Sequence, residues 1–235
     1  MLLDIKGLPM LEHVRRRANL NSYRIEPVVI SGDVSILEEI ERYNGIGSKS
    51  LVEHSNGLSR VGEYSRLSDY DFYLIVQGDE ILLLPRHLDA LISKIYKNPK
   101  AQMINCVTPI KNEIDILDES IVKCIRNANK EIIYIFRKSP LTCDIEKQKS
   151  FIFKINGLFA ISRSVLELVT TSVKQPIEEN ESIEQMKLIE LGIKVDSVLL
   201  DSTYPSINLE RDVTQVQETL DTDEEQKMIL ERILS

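Results

Sequence analysis

The sequence predicts a layered α/β fold in which helices flank a mixed, mostly parallel sheet. Three observations predict it. Short apolar, β-branched runs recur along the chain, and segments with helical spacing of apolar residues fall between them. The chain is also long and apolar enough for a sizeable core, with 235 residues of which 43% are hydrophobic and 28% charged.

Residues 9–21 read as a helix: Pro9 suits a first-turn position, and Met10, Leu11 and Val14 can share a face. Residues 27–31 form a β-branched run expected to be a buried strand. Asp33 is placed to cap the helix that follows, where Leu37 and Ile40 keep helical spacing. Residues 49–53 suggest a short strand and 58–67 a helix. Residues 72–76, Phe-Tyr-Leu-Ile-Val, are the clearest strand in the chain, and Pro85 opens a helix through 96. Strands are expected at 103–107, 131–137, 151–161 and 193–200. A helix is expected at 181–191 with Gly192 as its cap, and an amphipathic surface helix over 213–234. Segment 110–155 breaks the strand–helix alternation and reads as an inserted hairpin suited to an interface or a lid.

Composition excludes some classes of function. The formal net charge is -8 and the pI about 5.1, the wrong sign for a bulk nucleic-acid binder. Cys106, Cys124 and Cys143 show no CxxC spacing and read as reduced thiols rather than a zinc site or disulfide framework. No apolar stretch approaches the roughly 20 residues of a membrane helix, and the first residues lack the basic and apolar regions of a secretory signal. A cytoplasmic protein is expected.

In sheets of this kind ligands bind beyond the carboxyl ends of the strands. The turn Gln77-Gly78-Asp79-Glu80 lies at such an end, and Gly78 is expected to allow a sharp bend that projects the carboxylates into the crevice. Adjacent carboxylates there suit Mg²⁺, which takes oxygen ligands and bridges to phosphates. The same pattern also suits a solvated loop with two acids. No dinucleotide fingerprint, P-loop, nucleophile elbow or zincin motif is present. His13 and His87 are expected on the surface. His54, before the loop at Asn56-Gly57, suits either a structural or a ligand-facing role.

Several segments together resemble the 3-deoxy-manno-octulosonate cytidylyltransferase (CMP-Kdo synthetase) family. Leu3-Asp4-Ile5-Lys6-Gly7-Leu8-Pro9-Met10 is similar to the family's "LxDIxGKPMI", His54-Ser55-Asn56-Gly57-Leu58-Ser59-Arg60 to "HxSGTDR", and Val76-Gln77-Gly78-Asp79-Glu80 to "VQGDEP". Phe136-Arg137-Lys138-Ser139-Pro140 resembles "FSRxxIP", and Glu181-Ser182-Ile183-Glu184-Gln185 resembles "ESLEQL". Their order follows the family over nearly the whole chain. The resemblance implies a Rossmann-like nucleotidyltransferase fold in one domain spanning 1–235. It also implies transfer of CMP from CTP to a 3-deoxy-ulosonic or related sugar acid, with release of pyrophosphate. It further implies Mg²⁺ on Asp79 and Asn208, and nucleotide contacts from His54, Gly57, Arg60 and Gln77. Sugar-acid contacts would come from Arg137, Glu181 and Gln185, in a homodimer formed through 110–155.

The departures from the family fall on the chemistry. Leu8 stands where the family has the Lys of "GKPM". Asn56, Leu58 and Ser59 replace Ser, Thr and Asp, and Asn208 replaces the second metal-binding Asp. The family's first strand and basic triphosphate loop would precede Met1. Two expectations follow: a longer protein carrying that loop, or a non-catalytic homologue acting as a binding or assembly protein. Without the first strand, a sheet edge or gap is expected.

Overall fold

A computed structural model describes residues 1–54, 56–202, 204–207 and 209–235. The chain falls into two compact units: Met1–Tyr64 with Val76–Ile92 and Tyr204–Ser235, and Ser65–Ile75 with Ser93–Thr203.

The first unit opens with a hairpin of β1 (Asp4–Ile5) and β2 (Leu8–Pro9), antiparallel with Ile5 opposite Leu8. Helix α1 (Met10–Asn19) follows, and Pro9 is its N-terminal flanking residue. Met10, Val14 and Ala18 are buried along it, as a helical stripe requires. Its polar face is also largely buried. Glu12 is fully buried and accepts hydrogen bonds from Arg15 Nε (2.6 Å), Arg15 Nη2 (2.9 Å) and Arg16 Nε (3.0 Å). Arg17 is equally buried. Its Nη1 donates to Leu83 O and to Gln226 Oε1, while Nε and Nη2 have no partner among the described residues.

Strand β3 (Val28–Ser31), helix α2 (Val34–Arg42) and strand β4 (Ile46–Lys49) make a βαβ unit with a parallel two-stranded sheet. Asp33 caps α2 as expected, its Oδ1 accepting from Ser35 N at 2.9 Å. The strand expected at 49–53 lies earlier. Register with β3 puts Ile46 against Val28 and Lys49 against Ser31, so the ladder is used up before Leu51 and Val52, which are exposed. Helix α3 (Gly57–Ser65) completes this stretch.

The second unit is built on a six-stranded sheet. Strand β5 (Phe72–Val76) runs directly into the Gln77 turn, and helix α4 (Pro85–Lys97) leads on to β6 (Met103–Pro109). The insertion supplies α5 (Glu113–Leu117), the hairpin of β7 (Lys123–Arg126) and β8 (Glu131–Phe136), and α6 (Ile145–Gln148). Then come β9 (Ile152–Ser162), α7 (Arg163–Thr171), α8 (Pro176–Glu181), α9 (Met186–Glu190) and β10 (Val195–Leu199). The strand order is β5-β9-β6-β10-β8-β7, with β9 also pairing β7. Strand β5 is therefore an edge strand.

The sheet is mixed, as expected, but its parallel share is smaller than the strand–helix alternation suggests. Strands β6 and β10 are parallel, whereas β6–β9, β8–β10, β7–β8 and β7–β9 are antiparallel. The cause is the insertion. Its hairpin returns the chain in the opposite sense, and the long β9 inherits that direction.

The helix expected over 181–191 is reduced to α9, and α8, just before it, ends at Glu181 where the expected helix would begin. Pro176 opens α8, and Ser182 adopts a left-handed conformation (φ 54, ψ 44) that ends it. A turn then leads to α9, and Gly192 (φ 73) follows with the positive φ that a chain reversal at a helix end needs. The single helix expected over 213–234 divides into α10 (Asp212–Thr222) and α11 (Glu224–Leu234). Asp223 interrupts it, because its Oδ1 accepts from Gln226 N at 2.9 Å and starts a new helix. Their apolar faces are in the core of the first unit. Val216 and Leu220 join Ile5, Met10, Ile81 and Leu82, while Ile229 and Ile233 join Leu8 and Leu84. Among the described residues no helix is long and apolar enough to cross a membrane.

Candidate active site

The clearest strand delivers Asp79. After β5 the backbone turns with Glu80 N on Gln77 O (3.2 Å) and Ile81 N on Asp79 O (2.9 Å), and Ile207 N also donates to Asp79 O (3.2 Å). Immediately beyond, Ile81, Leu82, Leu83 and Leu84 are all buried and anchor the turn from its C-terminal side. Gly78 has no unusual φ, so the reason for glycine there differs from the expected sharp bend. A Cβ at Gly78 would lie 2.9 Å from Met1 Sδ and 3.1 Å from Met1 Cε, and the residue is small because a side chain packs against it.

Asp79 is partly buried. Burial pushes its carboxyl above the usual carboxylate range, with only its own backbone N–H pulling the other way. No cationic side chain pairs with it among the described residues. A carboxylate in that state gains from an added cation, and its oxygen donors suit a hard divalent ion. No cluster of three or more His, Cys, Asp or Glu that could hold a metal occurs among the described residues. Asn208, the other expected ligand, lies outside the described residues.

The residues expected against the nucleotide belong to the same unit as Asp79. Gly57 starts α3, and Asn56 caps that helix by accepting from Ser59 N at 2.9 Å while Ser59 Oγ returns a bond to Asn56 O. The departures Asn56 and Ser59 thus make a local cap of their own. Arg60 sits in the first turn of α3, its Nε buried without a partner among the described residues, which is a donor suited to an acceptor-rich ligand. Gln77 is exposed. His54 is held from one side, its Nε2 lying 2.6 Å from Glu63 Oε2, while Glu63 Oε1 accepts from Leu51 N at 2.8 Å. Glu63 escaped the sequence reading. The signal available was its position six residues into a helix that starts three residues after His54.

The residues expected against the sugar acid belong to the second unit. Arg137 Nε donates to Glu181 O at 3.3 Å, and Nη1 donates to Glu119 O and Ser120 O. Arg137 and Glu181 are brought together, but through the Glu181 backbone. Glu181 is the last residue of α8, so its carbonyl has no intrahelical donor and is open to the guanidinium. Gln185, expected on the same helical face as Glu181, is buried in the turn before α9. Lys123, fully buried, hydrogen-bonds Asp118 O and Arg137 O, and burial lowers its pKa.

His13 and His87 are buried, contrary to the surface positions expected. His13 Nε2 sits 2.6 Å from Ile5 O, serving a hairpin carbonyl that the core has cut off from water. His87 lies in the first turn of α4 beside Arg86. Of the thiols, Cys106 and Cys124 are buried and Cys143 is exposed. Burial pushes Cys124 up to about 12.

A family model described as cytidylyltransferase matches residues 1–195. The chain is 26% identical over 219 residues to 3-deoxy-manno-octulosonate cytidylyltransferase of Chlamydia pneumoniae, covering 92% of this chain and 85% of that protein. It is 27% identical to the Escherichia coli enzyme of the same name, covering 88% and 83%. The solved structure of CMP:2-keto-3-deoxy-manno-octonic acid synthetase complexed with CTP superposes with a TM-score of 0.87 at 25% identity, over 94% of this chain and 91% of that one. A 4-diphosphocytidyl-2C-methyl-D-erythritol synthase shares the fold, with a TM-score of 0.64 at 14% identity. With the model match spanning most of its length, the chain belongs to the cytidylyltransferase family.

Proposed function

We propose that this protein transfers CMP from CTP to a 3-deoxy-ulosonic or related sugar acid and releases pyrophosphate. The observation that carries the reading is Asp79, a partly buried carboxylate at the end of an apolar strand that pairs with no cation among the described residues. Family membership supplies the reaction type, and the names of the relatives supply the acceptor class. In this reading the anomeric hydroxyl of the sugar acid attacks the α-phosphorus of CTP. An O–P bond forms, the bond to the pyrophosphate oxygen breaks, and the hydroxyl proton passes to solvent. Positioning and charge neutralisation do most of such work. Asp79, with Asn208, would hold Mg²⁺, which neutralises phosphate charge as it develops. His54, Gly57, Arg60 and Gln77 would contact the nucleotide. Arg137 offers its remaining guanidinium nitrogen to the sugar-acid carboxylate, and Glu181 and Gln185 would add polar contacts to the same acid.

The test is pyrophosphate release from CTP and Mg²⁺ with 3-deoxy-manno-octulosonate and with related ulosonates. Release with one of them is expected; none with any would overturn the catalytic reading. Leu8 and Asn208, which stand where the family has Lys and Asp, favour a second reading: a non-catalytic binding or assembly protein. Calorimetry with CTP and Mg²⁺ separates the two: micromolar binding argues against a dead site, and no binding favours the non-catalytic reading.

We also propose a cytoplasmic homodimer formed through the insertion. Ile114, Leu117 and Ile133 are apolar and exposed there, a pattern suited to a covered face. Sedimentation of wild type and Ile114→Glu tests it: a dimer that the substitution splits supports the interface, and a wild-type monomer sinks it.

A further inference from the structure

Glu63 has both carboxylate oxygens committed within one short loop. Oε1 accepts from the backbone N–H of Leu51, and Oε2 meets His54 Nε2. Those bonds, the one from His54 foremost and then that from Leu51, hold its carboxyl below the usual range. An ionised carboxylate can only accept, so the ring nitrogen facing it carries the proton. When the ring is neutral, the other nitrogen, Nδ1, is then an acceptor. Glu63 lies in the last turn and a half of α3, whose first turn carries Arg60. It therefore ties the loop before the helix to the helix itself.

We propose that Glu63 is the positioning residue of the nucleotide-side loop, holding His54 as the Nε2–H tautomer so that Nδ1 accepts a hydrogen bond from an N–H or O–H donor of the cytidine nucleotide. The proposal rests on the CTP-dependent reading above. Cytidine has two kinds of donor, the 4-amino group of the base and the ribose hydroxyls. The opposite tautomer would present a donor to the 4-amino group and repel it, and would oblige a ribose hydroxyl to turn and accept instead of donate.

Glu63→Gln is the discriminating variant because it keeps size and shape. Its single carbonyl oxygen can serve only one of the two donors. With that oxygen on Leu51 N, its amide NH₂ faces His54 Nε2 and forces the proton to Nδ1. Ring ¹⁵N NMR of the neutral histidine, on the full chain without nucleotide, reads the tautomer directly. The expected result is Nε2–H in wild type and Nδ1–H in Glu63→Gln. KM for CTP should rise about tenfold, the weight of one hydrogen bond, with kcat within about twofold.

Comparing CTP with UTP and with 2′-deoxy-CTP assigns the donor. A loss confined to CTP and 2′-deoxy-CTP marks the 4-amino group, and a loss confined to the ribonucleotides marks the 2′-hydroxyl. A wild-type proton on Nδ1, an unchanged tautomer in Glu63→Gln, or an unchanged KM alongside a switched tautomer each overturns the proposal; the first needs no variant to fold. If wild type shows the expected tautomer but releases no pyrophosphate, the catalytic reading fails while the control of His54 by Glu63 stands.

Discussion

Two carboxylates of the first unit are built in opposite ways. Glu63 is spent: His54 and Leu51 occupy both oxygens, and those bonds hold its pKa down. Asp79 is unspent: its backbone carbonyl is pinned by two N–H groups, but its side chain pairs with no cation among the described residues and burial holds its pKa up. The contrast separates scaffold from site. A group whose charge is already answered holds other residues in place, while one left unanswered in a partly desolvated position is kept for a ligand. Glu12, fully buried between Arg15 and Arg16, belongs with Glu63.

The largest expected effect tests the spent class. Glu12→Ala leaves Arg15 buried without its partner and should cost about 3–5 kcal/mol of stability, read by urea denaturation. A cost below about 1 kcal/mol would break the comparison. Next, Asp79→Asn should lower turnover by about 10²–10³-fold, as removal of one electrostatic contributor does, while leaving the fold intact. The sign of its stability effect follows from linkage. A carboxyl with a raised folded pKa stays protonated in the native state where the unfolded chain has lost its proton, so stability falls as pH rises through that window. Asp79→Asn removes that loss, and its Tm at pH 7 without metal should match or exceed wild type. A clearly lower Tm would place Asp79 among the scaffold carboxylates.

His13 sharpens the contrast from the cationic side. Its pKa is lowered by burial first and also by Arg17 and Arg16, against the raising effects of Ile5 O and Asp4. The unfolded chain then binds the proton more readily, so stability should decline as pH drops below about 6.5. His13→Gln should flatten that decline; an identical pH profile would remove His13 from it. The smallest effect belongs to Gly78→Ala. The added methyl meets the flexible end of Met1, and the strain should stay below about 1 kcal/mol with CTP turnover nearly unchanged.

Much of the fold was legible because the signals were local. The run Phe72 to Val76, the proline opening α4 and the Asp33 cap act within a few residues. The failures have non-local causes. The early β4 is set by register with β3, the direction of β9 by the insertion, and the break at Ser182 by an unusual backbone conformation. The same division holds at the site. Asp79 could be read from its place after an apolar strand. Glu63 could not, because its meaning lies in two partners brought to it by a loop that carries no pattern of its own.

The distribution of thiols has a practical consequence. Only a thiolate reacts readily with electrophiles, and Cys106 and Cys124 are buried, the latter with its thiol pushed up to about 12. Cys143 is exposed, just ahead of α6 in the insertion, with its carbonyl held by Gln148. A maleimide fluorophore will therefore attach to the native protein at one place, and that place reports on the insertion without any engineered cysteine.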